Sequence, residues 1–118
     1  MNSKQYPIPS ISSEKEFNKK VIDKGKPTII IFKTLWSGDA FLLSDILSKV
    51  GQEFLEEVQL FSVDVEQLSI LKERFYITQI PTVLFFRKGL AVRKIMQILP
   101  RAEVKLQVHS FLTSAKGA

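Results

Sequence analysis

Trp36-Ser37-Gly38-Asp39-Ala40 stands between two stretches of different periodicity. Before it, Thr28-Ile29-Ile30-Ile31-Phe32 is continuously apolar and rich in β-branched residues, the composition of a central strand covered on both faces. After it, Ala40, Leu43, Leu47, Val50 and Phe54 recur at gaps of three and four. That spacing is the buried stripe of a helix, which Leu42 and Ile46 are expected to widen. The pentapeptide is therefore a strand-to-helix junction. Farther along, Ile80-Pro81-Thr82 leads into a second apolar run, Val83-Leu84-Phe85-Phe86.

Outward from this junction the remaining elements fall into place. Tyr6-Pro7-Ile8-Pro9 carries two prolines without ladder donors, so it reads as an edge strand or an extended arm. Ser13 is placed to cap a first helix, with Glu16 at its third position in the capping-box arrangement. Phe17, Val21 and Ile22 supply its buried side, and Asp23-Lys24-Gly25-Lys26-Pro27 ends it. Leu60 to Val65 reads as the next strand. Strand, helix and strand in succession imply a parallel pair joined by a right-handed crossover. A short helix follows, with Leu68, Leu71 and Phe75 on one side.

The second half changes character. Arg87-Lys88-Gly89-Leu90 reads as a hairpin turn in which Gly89 supplies a positive φ. Val92 to Ile98 is expected to return as an edge strand guarded by Arg93-Lys94. Pro100 and Arg101 open a last helix with Val104, Val108, Phe111 and Leu112 facing inward, and a frayed tail is expected from Thr113.

This order of elements, with Trp-x-Gly at the junction and Ile-Pro-Thr before the later strand, resembles the thioredoxin family. The likeness covers residues 10–113. It implies an α/β, thioredoxin-like fold: a central mixed β-sheet flanked by helices. The whole chain, 1–118, is then one domain with a short N-terminal arm and a frayed C-terminal tail. Phe32, Trp36, Asp64, Pro81 and Gly89 match scaffold positions, Pro81 that of the family's cis-proline. The family's chemistry needs a thiolate at the helix N-terminus, where the helix dipole lowers the thiol pKa. By the resemblance, Ser37 stands at the nucleophile position and Ala40 at the resolving position, and neither can enter thiol–disulfide exchange. Four supporting positions depart as well: Ile31 replaces a buried acid, Asp39 the motif's proline, Asp45 a helix-kinking proline, and Gln97 a glycine beside the substrate groove.

Composition bounds the remaining chemistry. The chain has 118 residues, 45% of them apolar, which is enough for one core. It holds no cysteine and one histidine, His109, so thiolate sites are excluded and a metal site or other cofactor is not expected. No early segment has the basic, apolar and small-residue pattern of a leader, so a cytoplasmic protein without a membrane span is expected. Net charge is +5 but segregated: +4 over residues 1–33, −6 over 34–73 and +7 over 74–118. An acidic central block and little aromatic interleaving argue against nucleic acid as a partner. Ser37 as a catalytic nucleophile would need a base beside it, and His109 belongs to a distant helix. Ser37 is read as a helix cap. Asp39 in the first turn would repel an anion there, which argues against phosphate binding.

These readings converge on a non-enzymatic, redox-inactive module. The expected role is protein interaction, as an adaptor or in a chaperone-like capacity, through the groove that the resemblance places at Trp36, Gly38, Asp39, Ile80, Pro81 and Gln97, with Leu35 and Met96 as apolar neighbours. The partner is an unidentified protein. The alternative is an oxidoreductase relative inactivated by engineered cysteine replacement. Arg87, Lys88, Arg93, Lys94 and Arg101 form a second candidate surface, for electrostatic docking.

Overall fold

Strand β1 (Thr28–Lys33) is buried at every position but its last in the computed structural model, which describes residues 8–116. It pairs in parallel with β2 (Gln59–Asp64) and antiparallel with β3 (Thr82–Arg87), which in turn pairs antiparallel with β4 (Leu90–Ile95). The order across the mixed sheet is β2-β1-β3-β4. Successive side chains on a strand face opposite ways, and this divides the core in two. Ile29, Ile31, Val83 and Phe85 pack with α2 (Gly38–Gly51) and α4 (Arg101–Lys116), through Leu43, Leu47, Val50, Val104, Val108 and Phe111. Ile30, Phe32, Leu84 and Phe86 take the other face, against Phe17, Val21 and Leu71. Each fully buried residue of this size contributes roughly 1.5–3 kcal/mol.

The second core is aromatic. Phe17, Phe75 and Phe86 meet pairwise edge to face at 5.3–5.6 Å between ring centres. Phe17 closes α1 (Glu14–Phe17), which continues as a π-helical segment, Asn18–Asp23. Phe75 follows α3 (Ser69–Arg74). Arg74 lies over both rings and bonds to Glu14 and Asn18, so a guanidinium joins α3 to the first helix.

Several boundaries differ from the sequence expectation. Lys88 as well as Gly89 has positive φ (53° and 79°), which makes a two-residue hairpin turn, and β4 begins directly at Leu90. The strand ends at Ile95 rather than Ile98, because the Met96 carbonyl accepts from the Gln79 side chain at 2.6 Å. Leu42 is exposed: the 3–4 stripe carries it off the core side, and only Ile46 widens the buried face. Helix α4 continues past Thr113 to Lys116. Pro9 and Ile11 bond to Ser62 at the free edge of β2, while Tyr6 and Pro7 lie outside the described residues.

The cap of α1 is also rearranged. Ser13 Oγ accepts from the Glu16 N–H at 3.0 Å as expected. Glu16 does not return to the Ser13 N–H; it accepts from the backbone N–H and hydroxyl of Ser12 at 2.7 and 3.0 Å. The Lys20 ammonium beside it, with those two Ser12 bonds, lowers the Glu16 pKa from an ordinary 4.5 to about 2. A carboxyl whose pKa is depressed by folding contributes stability above its unfolded value. That contribution is present above about pH 4.5 and is lost as pH falls towards about 2. Glu16→Gln should therefore lower the urea midpoint at neutral pH and flatten the loss of stability over that acid range.

Candidate functional site

β1 leaves the sheet at Lys33, and after four residues the chain enters α2 at Gly38. Ser37 has an extended backbone, and its Oγ accepts the Ala40 N–H at 3.1 Å. It is the N-cap of α2. Ala40 is fully buried, whereas Gly38 and Asp39 are exposed in the first turn. The space beside Gly38 is open: a Cβ there would meet no atom within 4 Å. His109 lies on the exposed side of α4, with no hydrogen bond to Ser37.

Trp36 projects from this junction, 72% exposed; Leu35 before it is 79% exposed and Phe41, in α2, 68%. Its indole is nonetheless held in place, because Nε1 donates to Glu66 Oε2 at 2.9 Å. Glu66 sits in the turn between β2 and α3, with its own N–H bonded to Asp64 Oδ1. The sequence pattern singles out neither Glu66 nor Phe41. Thirty positions separate Trp36 from Glu66, and no local pattern announces such a pair. Phe41 had a signal: it is a large aromatic one position off the buried stripe.

The Ile80–Pro81 peptide is cis and lies before β3, at the sheet end from which β1 runs into Trp36. Thr82 Oγ1 donates to the Gln79 carbonyl at 2.7 Å, and the Gln79 side chain reaches Met96, so the loop is tied to the segment after β4. Pro81 is itself buried and Ile80 half-buried against the aromatic core, so Pro81 adds no side-chain surface for a partner. Met96 is half-buried and Gln97 exposed in the loop that follows β4. Leu35, Trp36 and Phe41 are the most exposed of the large apolar residues around the start of α2.

The departures from the redox pattern are all accommodated. Ile31 is fully buried among aliphatic neighbours in the α2 and α4 core. Asp45 leaves α2 unbroken; its carboxylate pairs with Lys49 at 3.0 Å, and its carbonyl accepts from Ser48 Oγ.

Residues 9–110 match the family model described as Thioredoxin. The chain belongs to the thioredoxin family. It is 25% identical over 100 residues to chloroplastic thioredoxin Y of Oryza sativa subsp. japonica, an alignment covering 85% of this chain and 60% of that protein. A thioredoxin-like protein of Synechocystis sp. is 22% identical over 81% of this chain and 91% of its own length. The chain thus spans less than two thirds of the rice protein but about nine tenths of the cyanobacterial one. Among solved structures, a thioredoxin of Plasmodium falciparum superposes with TM-score 0.79 at 19% identity, covering 88% of this chain and 99% of that one. Oxidised thioredoxin O2 of Arabidopsis thaliana gives 0.76 at 23%, covering 89% and 94%. Both share the fold.

The basic candidate surface is largely occupied by internal contacts. Arg87 bonds to Ser114 Oγ at 2.9 Å and lies over the Phe111 ring, and Arg93 reaches the Gln107 carbonyl on α4. Arg101 faces Glu53 at 3.6 Å. Lys88 and Lys94 remain exposed. Among the described residues no group of acids and histidine is arranged to hold a metal ion, and no helix is long and apolar enough to cross a membrane.

Ser37→Ala removes the cap oxygen and leaves the Ala40 N–H without its partner. It should cost about 1 kcal/mol of stability, read as a lower urea midpoint with Trp36 emission as the probe.

Proposed function

We propose that this is a redox-inactive thioredoxin-like domain that binds a protein partner, as an adaptor or in a chaperone-like capacity, through the surface beside the former redox motif. The observation that carries the reading is the exposed run Leu35, Trp36 and Phe41 around a helix start without a thiol. Exposed apolar side chains grouped in one place favour contact with another molecule, and tryptophan is prominent among residues that dominate binding energy. The Glu66 bond supports it further: a side chain held in one orientation loses less conformational freedom on binding than a mobile one. No catalytic role is assigned to Ser37, whose oxygen already serves as a cap.

Capture from a native lysate on the immobilised protein tests this reading, with Trp36→Ala as the comparison. A partner held by the native chain and released by Trp36→Ala supports it. An unchanged set of partners would move attention to Lys88 and Lys94.

Restoring sulfur separates a natural binding domain from an engineered redox mutant. With Ser37→Cys and Ala40→Cys together, insulin reduction by a thiol donor should stay near background. Ile31 lacks the proton-transfer role expected of an acid at that position, and Asp39 sets a carboxylate where a thiolate must be stabilised. Robust turnover would instead identify a disabled oxidoreductase.

A further inference from the structure

We propose that the surface at Trp36 receives a basic, extended peptide segment, with an arginine lying on the indole and paired to Glu66. This rests on the protein-binding reading above and names the chemistry of the partner. Trp36 is exposed enough to offer ring surface to a ligand, and the 2.9 Å bond from Nε1 to Glu66 Oε2 sets a carboxylate at the ring's polar edge. Glu66 Oε1 has no hydrogen-bond partner among the described residues. An aromatic face beside a carboxylate suits a guanidinium, which stacks on the ring while its planar N–H edge bonds to oxygen. An ammonium can pair with the acid but has no plane to stack.

The surroundings favour the same charge. Asp39 is exposed in the first turn of α2 and makes no ion pair among the described residues. Asp64 lies at the end of β2, and the opposing cation at this end is the half-buried Lys33, its register partner. Asp39, Asp64 and Glu66 thus stand at the element ends around this junction, with Lys33 the register partner of Asp64, and this excess of acid disfavours an acidic segment and attracts a basic one. Leu35 and Phe41, exposed close to Trp36 in the chain, favour apolar residues flanking the arginine.

Trp36 is the only tryptophan in the chain, so its emission reports on this site alone. The probe is a short acetylated and amidated peptide with arginine between two leucines. Matched peptides carry citrulline, lysine or glutamate in its place; citrulline keeps the planar shape without the charge. The arginine peptide should shift Trp36 emission and bind about tenfold more tightly than the citrulline peptide, a difference of about 1.4 kcal/mol. Added salt should weaken it. Glu66→Gln keeps an acceptor for the indole while removing the charge, and should bring the two peptides to within about twofold. Its urea midpoint serves as the control for folding.

Equal binding of the arginine and citrulline peptides, or preference for glutamate, overturns the proposal. If no peptide binds while lysate capture still depends on Trp36, the arginine inference fails and the protein-binding reading stands. If capture fails as well, both fall. A shift in Trp36 emission on dilution without peptide would show a second copy of the chain in the site, and would also overturn the inference.

Discussion

β1 has no face turned to water, and the arrangement of the other elements follows from that. A strand carrying Ile29, Ile30, Ile31 and Phe32 in succession must be covered above and below, so helices are needed on both sides of the sheet. The first helix and α3 cover one face and α2 and α4 the other, each with its own core. Pairing with β2 and β3 at once leaves β1 no free edge. The strand can then leave the sheet only at its ends, and its C-terminal end delivers Trp36 and Ser37 to the start of α2.

That end retains the physical setting of thioredoxin chemistry without its reagent. A helix start presents backbone N–H groups in need of acceptors. In the family a thiolate benefits from them; here Ser37 Oγ takes the Ala40 N–H and Asp39 adds a carboxylate to the first turn. Both side chains stabilise the helix start. Ile31 completes the change: a position suited to a proton carrier is now filled by aliphatic packing. Leu35, Trp36 and Phe41 stay outside the core around this helix start.

Charge is sorted by the same architecture. The basic second half is largely absorbed into holding β3 and β4 against α4: Arg87 grips the end of that helix and Arg93 its middle. Glu53, just beyond α2, takes Lys105 at 2.7 Å and Arg101 at 3.6 Å, which links α2 to α4. At the Trp36 end, Asp39 and Glu66 have no cation bound to them among the described residues. A surface that seemed basic from residue counts thus spends its arginines internally, and the acids beside the motif keep their charge available.

Periodicity alone determined most of the fold here. The unbroken run at Thr28–Phe32, the 3–4 spacing from Ala40 to Phe54 and the Gly89 turn are local patterns whose physical requirements, burial or a positive φ, have few solutions. The absence of cysteine was equally legible, since it needs no coordinates. Tertiary structure decided what faces outward and what is held. Pro81 is covered while Trp36 is not, Leu42 falls off the stripe that was expected to include it, and Gln79 ends β4 by taking the Met96 carbonyl. Glu66 finds Trp36 across thirty residues. Such outcomes depend on which chain segments meet after folding, and hydrogen bonds between distant segments leave no periodic trace in the residues that make them.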